Sequence, residues 1–444
     1  MSQLLQPRQT LRTETSGTEC QVGRFLGGGG QGEVYEAKLQ GASVALKWYF
    51  PHMATEVQRL SLEDLIGRGS PDPRFLWPME LTSDSQVAGF GYVMPLRGSD
   101  FRSINDMMRE DDDPRLTVPT FRNKVTVGYQ LADSFYQLHA VGLCYRDISF
   151  GNVFFHPETG EILICDNDNV AVNRQADGGV LGTQKFMAPE IVRGEAHPSV
   201  DTDLYSLAVL LFYLLLVGHP LEGLRETAIK CFDIPAAKKL YGTEPLFVFD
   251  PQDKSNRPDP TVHQNALTFW KIIPKRCRDL FTRSFTDGLR DASHGRVRET
   301  QWRALMIELR DMIVQCNKCG QENFFDWDST RGSDASKCWN CQQVVPPPLR
   351  IKFQTKSIVV LGAQTQLFAH HIDRQRRYNF DQAVAATTRH PSDPRTWGLR
   401  NLSGSKWVAT LPNGNMTDID PGRNVRLAVG TRINFGTAEG VIEQ

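Results

Sequence analysis

A glycine cluster followed by a lysine on a β-like stretch is the feature that most constrains how this chain can fold. The cluster reads Gly27-x-Gly29-x-x-Gly32-x-Val34, and the stretch SVALK ends at Lys47, 15 residues after the last glycine. Glycine lets a backbone approach phosphates closely and point N–H groups at them, although glycine runs are also common in plain hairpins. A cation on the following strand can reach phosphates held under such a loop.

Four polar motifs follow in a fixed order over the next 160 residues or so. They read Tyr145-Arg146-Asp147-Ile148-Ser149-Phe150-Gly151-Asn152, Leu163-Ile164-Cys165-Asp166, Gly182-Thr183-x-x-Phe186-Met187-Ala188-Pro189-Glu190 and Asp203-x-Tyr205-Ser206-Leu207. With the glycine cluster and Lys47, this order resembles the eukaryotic-type protein kinase family over roughly residues 20–313. Arg296, six residues before Trp302, resembles the late arginine of that family, which pairs with the glutamate at the position of Glu190.

The resemblance implies a two-lobed kinase fold and a site for Mg·ATP. It makes Lys47 a contact of the α- and β-phosphates, Asp166 and Asn152 the Mg²⁺ ligands, and Asp147 the group that orients the acceptor hydroxyl and takes its proton. The segment Gly91–Arg97 resembles the hinge that meets adenine. The nucleotide-binding residues implied are Gly27, Gly29, Gly32, Val34, Ala45, Lys47, Glu63, Met94, Pro95 and Arg97.

The lysine of this family needs a carboxylate partner on the first helix, predicted here over residues 54–66. Glu56 and Glu63 are seven positions apart and therefore lie on one side of a helix. Glu63 lies 16 residues after Lys47, near the spacing usual in the family, so it is favoured over Glu56. In the alternative interpretation both are plain solvated helix residues.

Three departures from the family pattern keep other functions open. Tyr145 stands where the family has histidine, and Ser149 stands where serine/threonine kinases often have lysine. The family's Asp-Phe-Gly triplet is Asp166-Asn167-Asp168 here, so Asn167 and Asp168 replace its phenylalanine and glycine. The predicted function is a protein serine/threonine kinase that also phosphorylates itself. The first alternative is a pseudokinase scaffold that binds nucleotide and partners without catalysis, and the second is a kinase-fold enzyme acting on a small molecule.

Four cysteines, Cys316-x2-Cys319-x18-Cys338-x2-Cys341, have the spacing of a structural zinc site. Each Cys-x-x-Cys turn lets two thiolates meet one ion, and four thiolates leave no coordination position open for catalysis. The sequence thus predicts structural Zn²⁺, with reduced unliganded pairs or a redox couple as the alternative.

The last hundred residues have short apolar bursts separated by Asn-Gly, Pro-Gly and Ser-Gly turns, which is typical of a small antiparallel β domain. The segments LRNLS, from Leu399, and GTRINFG, from Gly430, resemble the second half of a forkhead-associated (FHA) domain, a β-sandwich that usually binds phosphothreonine. The Gly-Arg and Ser-x-x-His motifs of that family are missing, so the resemblance implies a degenerate interaction module. An unrelated small β domain is the alternative.

The predicted fold class is α+β multidomain, and the order of motifs sets the boundaries. We expect a flexible N-terminal arm over 1–20, a kinase domain over 21–313, a zinc ribbon over 314–345 and an FHA-like β-sandwich over 346–444. Lys and Arg number 50 against 51 Asp and Glu, which argues against a nucleic-acid partner. The longest uncharged apolar run, residues 204–218, is short for a membrane span, and no signal peptide is evident, so a cytoplasmic protein without a membrane partner is expected.

The combination of kinase, cysteine ribbon and β domain, with the segments YRDIS, ICDNDN and FLWP, resembles a group of bacterial kinases linked to tellurium-resistance gene clusters. That resemblance implies protein substrates. It also implies two partners, a von Willebrand factor A-domain protein and a metal-dependent protein phosphatase.

Overall fold

The structure is a computed structural model that describes residues 3–107, 119–174, 180–327 and 337–444. The chain divides into two compact units. The first comprises Met1–Pro119, Thr126–Leu267 and Asp279–Arg303, and the second comprises Thr120–Val125, Thr268–Arg278 and Ala304–Gln444. The boundaries predicted at residues 313 and 345 both fall inside the second unit.

The first unit begins with a closed barrel of six strands in the order β1-β2-β3-β4-β6-β5. Its elements are β1 (Thr10–Thr13), β2 (Glu19–Gly28), β3 (Gly32–Leu39), β4 (Ala42–Tyr49), α1 (Glu56–Arg68), β5 (Glu80–Ser83) and β6 (Gly91–Pro95). The hydroxyl of Thr55 accepts a hydrogen bond from the Gln58 N–H and so caps the start of α1. The helix ends at Gly69, whose positive φ of 73° suits a residue without a side chain.

The expected flexible arm over residues 1–20 is wrong, because β1 is an integral strand of the barrel. It pairs antiparallel with both β2 and β5, which closes the sheet on itself. Leu5 and Leu11 are buried in a core that also holds Tyr35 and Trp48. A strand of four residues surrounded by threonines has too little apolar pattern to predict, and burial against partners distant in sequence is what orders it.

The remainder of the first unit is mostly helical, and four of its helices extend into segments of the second unit. The strands are β7 (Arg102–Ser103), β8 (Leu143–Cys144), β9 (Val153–Phe155), β10 (Ile162–Ile164) and β11 (Ala171–Val172). The helices are α2 (Phe121–Ala140), α3 (Pro189–Arg193), α4 (Val200–Leu216), α5 (Leu224–Thr227), α6 (Ile234–Lys238), α7 (Gln264–Ile272), α8 (Lys275–Phe285), α9 (Asp287–Arg290) and α10 (Glu299–Asp311). Short 3₁₀ turns at Ile104–Met107, Phe150–Asn152, Asn167–Asn169 and Gln184–Phe186, and a π turn at Lys239–Thr243, join them.

Helix α4 is the buried axis of this part of the fold, as its sequence predicts. Fourteen of its residues are buried, since the helix is apolar on every side. Ser199 and Thr202 form a capping box at its start, in which each side chain bonds to the backbone N–H of the other residue. Of the two carboxylates in its first turn, Asp201 and Asp203, the buried one is Asp203, and its partners are described below.

Two short strands open the cysteine-containing part of the second unit. They are β12 (Ile313–Gln315) and β13 (Glu322–Phe324), paired antiparallel. Phe121 lies against Phe324 with ring centroids 4.8 Å apart, and Phe269 lies against Trp339 at 5.7 Å. This aromatic contact joins the cysteine segment to the helix ends that belong to the same unit.

The C-terminal residues form two antiparallel sheets that share one apolar core. The elements are β14 (Arg350–Phe353), β15 (Ile358–Val360), β16 (Gln366–Phe368), α11 (Ala369–Ile372), a 3₁₀ turn (Arg374–Arg376), β17 (Ala383–His390), β18 (Asp393–Asn401), β19 (Trp407–Thr410), β20 (Met416–Ile419), β21 (Asn424–Arg426), β22 (Arg432–Asn434) and β23 (Glu439–Glu443). One sheet has the order β15-β14-β23-β22-β19-β20 and the other β16-β17-β18-β21. Trp407 is buried in the shared core, and its ring centroid lies 4.9 Å from that of Phe435.

Among the described residues, no helix has the length and apolarity that crossing a lipid bilayer requires.

Candidate active site

The glycine cluster forms the turn between β2 and β3, with the Gly29 N–H donating to the Gly32 carbonyl at 2.9 Å. Gly32 is required sterically, because a Cβ there would lie 2.1 Å from the carbonyl oxygen of Trp48. Gly27 and Gly29 have no atom within 4 Å of where a Cβ would be. The cluster therefore combines one glycine fixed by packing with two that face open space.

Lys47, on β4, is almost fully buried and is surrounded by oxygen atoms. Its Nζ lies 2.8 Å from Oδ2 of Asp168 and 3.6 Å from Oδ1 of Asp166, and it donates to Oε1 of Gln31 at 2.9 Å. Burial alone would lower the pKa of Lys47, but the two carboxylates raise it above its ordinary value. The ammonium group is therefore charged at neutral pH.

The predicted pairing of Lys47 with Glu63 is wrong for this structure. Glu63 is exposed, and its carboxylate lies 3.3 Å from Nε of Arg59 on the same helix. Glu56 is exposed as well. Gln58 is the α1 residue whose side chain reaches the lysine's surroundings, where its Nε2 donates to the Tyr49 hydroxyl at 3.1 Å and to the Asp168 carbonyl at 3.2 Å.

Asp147 and Asn152 lie together after β8. Nδ2 of Asn152 donates to the Asp147 carbonyl at 2.9 Å and to its Oδ2 at 3.1 Å. The Thr183 hydroxyl and backbone N–H both donate to the other carboxylate oxygen of Asp147. These bonds fix the orientation of the Asp147 carboxylate.

Asp166 follows β10, and its backbone is left-handed, with φ of 50°. The N–H of Cys165, the residue before it, donates to the Asn152 carbonyl at 2.8 Å, so the two predicted Mg²⁺ ligands come from directly bonded segments. Burial raises the pKa of Asp166, and the neighbouring Asp168 adds to this while Lys47 opposes it. The Asp166 side chain still has 44% of its surface exposed, which makes it accessible to a cation.

Asp203, in the first turn of α4, holds the backbone just before Asp147. Its two carboxylate oxygens accept the backbone N–H groups of Tyr145 and Arg146. His139 contacts Asp203 through Nε2 at 3.2 Å and Glu299 through Nδ1. Burial would lower the pKa of His139, but its two carboxylate partners raise it to about 9.

The predicted hinge residues Met94 and Pro95 are the last two residues of β6, and Arg97 lies just after that strand. Met94 is buried, and Pro95 is the last residue of the strand. Val34 and Ala45 lie on β3 and β4, and both pack in the apolar cluster that contains Met94. The guanidinium of Arg97 donates to the Phe101 carbonyl at 2.6 Å and lies 4.1 Å from the ring centroid of Phe154.

The four cysteines converge on one point in the second unit, and their Sγ atoms all lie within 4.8 Å of one another. The Sγ atoms of Cys316 and Cys341 are 3.6 Å apart, as are those of Cys319 and Cys338. Tetrahedral zinc with bonds of about 2.3 Å places thiolates about 3.8 Å apart, so this arrangement fits the ion.

Two of these thiols are acidified by backbone groups, as zinc ligands need to be. Backbone N–H groups of Cys319 and Lys318 lower the pKa of Cys316. Burial would raise the pKa of Cys338, but N–H groups of Cys341 and Asn340 lower it to about 6. The side-chain amide of Asn323 also donates to the Cys338 sulfur, at 3.6 Å.

Comparison with known proteins finds one family that part of this chain matches. Residues 101–285, which include Asp147, Asn152 and Asp166, match the family model described as protein kinase domain. The chain contains a protein kinase domain. The kinase domain match does not reach Lys47 or the glycine cluster, whose placement in the site comes from the structure alone.

Serine/threonine kinases are among the similar proteins. Protein kinase gsk3 of Schizosaccharomyces pombe is 25% identical over 177 residues, which cover 38% of this chain and 44% of the relative. Serine/threonine-protein kinase PknD of Chlamydia abortus is 26% identical over 229 residues, covering 44% of this chain and 24% of the relative. Ribosomal protein S6 kinase alpha-4 of Mus musculus is 36% identical over 96 residues, which cover 20% of this chain and 12% of the relative. Each match therefore spans less than half of the relative's length.

The sequence did not point to four residues that contact Lys47 or its carboxylate partner: Gln31, Tyr49, Gln58 and Asp168. Asp168 differs from the family triplet, and that departure was the available signal. Its carboxylate is completely buried and accepts from both Lys47 and the Tyr49 hydroxyl. Gln31 is an unspecified position of the glycine cluster, and Tyr49 belongs to no motif. Only the folded barrel shows that both side chains lie beside the lysine or its partner.

Proposed function

We propose that this protein is a serine/threonine kinase that transfers the γ-phosphate of Mg·ATP to hydroxyl groups of proteins, itself included. The observation that carries the proposal is the gathering of Lys47, Asp147, Asn152 and Asp166 around one site. Lys47 lies 3.6 Å from Asp166, the Cys165 N–H binds the Asn152 carbonyl, and Asn152 binds Asp147. These residues come from distant parts of the sequence, so chance convergence is a poor explanation.

The residues present fit the nucleotide and its metal ion. Gly27 and Gly29 leave open space for phosphates, and Lys47 offers them a positive charge. Asp166 and Asn152 would hold Mg²⁺, because a carboxylate and an amide oxygen are the hard ligands it prefers. Nδ2 of Asn152 is committed to Asp147, which leaves its oxygen for the cation. When bound, the ion neutralises triphosphate charge.

Asp147 is the group proposed to align the acceptor hydroxyl and accept its proton. One of its oxygens is fixed by Thr183 and the other by Asn152, so the carboxylate needs no reorientation. By family resemblance, Gly32, Val34, Ala45 and Met94 would line the nucleotide site, and backbone groups of Pro95 and Arg97 would meet adenine.

A pseudokinase that binds nucleotide without transferring phosphate is the second candidate. Lys47 already has a carboxylate partner in Asp168, only 2.8 Å away, and Ser149 provides no charge for the γ-phosphate. Either feature could limit turnover while leaving the fold intact.

For the second unit we propose a structural Zn²⁺ held by Cys316, Cys319, Cys338 and Cys341, followed by an FHA-like interaction module. The thiol geometry supports the first, and the two-sheet architecture around one core supports the second. The bacterial group with tellurium-resistance links, its von Willebrand A-domain and phosphatase partners, and a cytoplasmic location stay predictions from resemblance and sequence.

The test is transfer of radiolabelled phosphate from ATP, with Mg²⁺, to the chain itself and to a basic acceptor protein. Asp147→Ala should retain nucleotide binding and lose transfer, and Asp166→Ala should lose the Mg²⁺ dependence of binding. Mass spectrometry should find phosphoserine or phosphothreonine on the wild-type chain. If the wild-type protein binds Mg·ATP but transfers no more phosphate than Asp147→Ala, and both remain at background, the protein is a pseudokinase instead.

A further inference from the structure

We propose that Asp168, and not a glutamate of helix α1, is the residue that positions Lys47 for the nucleotide phosphates. The inference rests on the proposed function and adds to it a positioning residue supplied by the triplet segment itself.

The contacts of Lys47 carry the first step. Both carboxylate oxygens of Asp168 accept from Lys47 Nζ, at 3.0 and 2.8 Å. The Asp168 side chain has no exposed surface, and that of Lys47 has 6%. A buried ion pair with two such contacts holds both groups in one geometry, because separating them would leave a charge uncompensated in the interior.

The second step is the neutrality of the helix face that reaches this region. Gln58 is the α1 side chain that binds Tyr49 and the Asp168 backbone, and it carries no charge. The two glutamates of the helix, Glu56 and Glu63, are exposed to solvent. The helix therefore presents an amide where a carboxylate would compete with Asp168 for one lysine.

The third step concerns how Asp168 itself is fixed. The Tyr49 hydroxyl donates to its carboxylate, and Gln58 donates to its carbonyl oxygen. Asp168 lies within the 3₁₀ turn Asn167–Asn169, and Asn169 accepts from Gln31 of the glycine loop at 2.9 Å. Gln31 in turn accepts from Lys47. The lysine, the triplet and the glycine loop thus form one hydrogen-bonded network.

A consequence distinguishes this arrangement from one in which a helix glutamate holds the lysine. Lys47 and the proposed Mg²⁺ ligand Asp166 are both tied to the same short segment. Alignment of the lysine is then set by the conformation of residues 166–169 and does not depend on a carboxylate from α1.

The experiment compares Asp168→Asn, Glu63→Gln, Glu56→Gln and the double variant Asp168→Asn with Gln58→Glu. Mg·ATP affinity and steady-state phosphate transfer are measured for each, and thermal unfolding checks that each is folded. Asp253→Asn, at an exposed aspartate, is the matched control for the amide replacement.

We expect Asp168→Asn to lower kcat/KM for ATP about 100-fold, because Lys47 is no longer held against the phosphates. Glu56→Gln, Glu63→Gln and the control should stay within about twofold of wild type. The double variant, which returns a carboxylate from the helix side, should recover at least about tenfold of the loss, whereas a merely structural defect would not be repaired by a second change at a neighbouring residue.

Three results would overturn the proposal: Asp168→Asn with unchanged activity, Asp168→Asn with increased activity, as an autoinhibitory contact would give, or an equal loss in Glu63→Gln. Should wild type transfer no phosphate, the proposed function fails, and the role of Asp168 is then decided by Mg·ATP affinity. Weakened binding in Asp168→Asn that the double variant restores would support it, and unchanged binding would refute it.

Discussion

Thr183 donates both its backbone N–H and its hydroxyl to one carboxylate oxygen of Asp147, at 2.8 and 2.7 Å. The two residues are 36 positions apart, so the contact joins the proposed catalytic loop to the segment that precedes α3. A hydroxyl bond to a charged acceptor is worth more than one between neutral groups. The orientation of Asp147 therefore depends on this threonine.

Replacing Thr183 should change catalysis more than stability. Thr183→Val removes the hydroxyl donor and should lower kcat about tenfold or more, since one charge-assisted bond is lost. Thr183→Ser keeps the donor and should stay close to wild type. Steady-state transfer to a basic acceptor measures both. Thr227→Val, which removes an exposed hydroxyl bonded only to a local carbonyl, is the control. Equal rates for Thr183→Val and Thr183→Ser would contradict this role.

Breaking the ion pair of Arg296 with Glu190 should destabilise the kinase domain. Arg296 is buried, and its Nη2 lies 2.8 Å from Oε2 of Glu190. Arg296→Met leaves Glu190 without its partner and should lower the free energy of unfolding by about 3–5 kcal/mol. Urea unfolding measures the change. Arg290→Met breaks an exposed pair with Asp287 and should cost less than about 1 kcal/mol. Similar losses in the two variants would argue against a bracing role for Arg296.

His139 should make stability decrease as the pH rises through the alkaline range. Its pKa is raised to about 9 in the folded protein, between Asp203 and Glu299, against about 6.5 when unfolded. The folded state therefore binds the proton more tightly, so this contribution is complete below pH 6.5 and is lost as the pH rises to about 9. The difference corresponds to about 3 kcal/mol.

Unfolding free energies measured from pH 6 to 9.5 test this dependence. The wild-type protein should lose stability across that interval, and His139→Gln should be less stable at pH 6 and should lose less between the two limits. An exposed histidine, His294, gives the matched control in His294→Gln. The same pH slope in wild type and His139→Gln would show that His139 is not the group responsible.

The four cysteines should bind one zinc ion per chain. Elemental analysis of purified protein should give about one Zn²⁺ for wild type and clearly less for Cys338→Ser, because one of four thiolates is lost. Cys231→Ser changes an exposed cysteine outside the cluster and should keep the full content. A strong chelator should release the metal and lower the unfolding temperature of the second unit. Equal zinc in both serine variants would place the ion elsewhere.

Two glycines of the same loop should respond differently to alanine. Gly32→Ala places a methyl group 2.1 Å from the Trp48 carbonyl oxygen and should cost about 1–3 kcal/mol of stability. Gly27→Ala meets no atom within 4 Å and should leave stability nearly unchanged, while raising KM for ATP if phosphates occupy that space. Denaturant unfolding and ATP kinetics separate the two effects. Equal destabilisation would show that the loop has a different conformation.

The sequence predicted the parts of this protein where pattern and chemistry agree. Helix α4 is apolar on all sides and is buried, and the late arginine does pair with Glu190. The ordered motifs placed Asp147, Asn152 and Asp166 in a protein kinase domain, which the family match confirms for that segment.

The residues and the strand that the sequence did not predict have physical causes that a sequence pattern does not contain. Gln58 and Glu63 are five positions apart on one helix, so they point in different directions, and only the helix rotation decides which one faces Lys47. The choice of Asp168 as partner depends on the left-handed backbone at Asp166, which directs the following turn. Strand β1 was missed because a four-residue strand acquires its order from distant partners.

Closure of the N-terminal barrel also limits how other proteins can attach to this part of the first unit. Many recognition modules accept an extended peptide by adding it to an unpaired sheet edge. Because β1 bonds to both β2 and β5, the six strands of residues 10–95 present no such edge. A substrate or regulator that engages this part of the molecule must therefore use side chains and loops, and removal of β1 would expose an unpaired sheet edge that the closed barrel lacks.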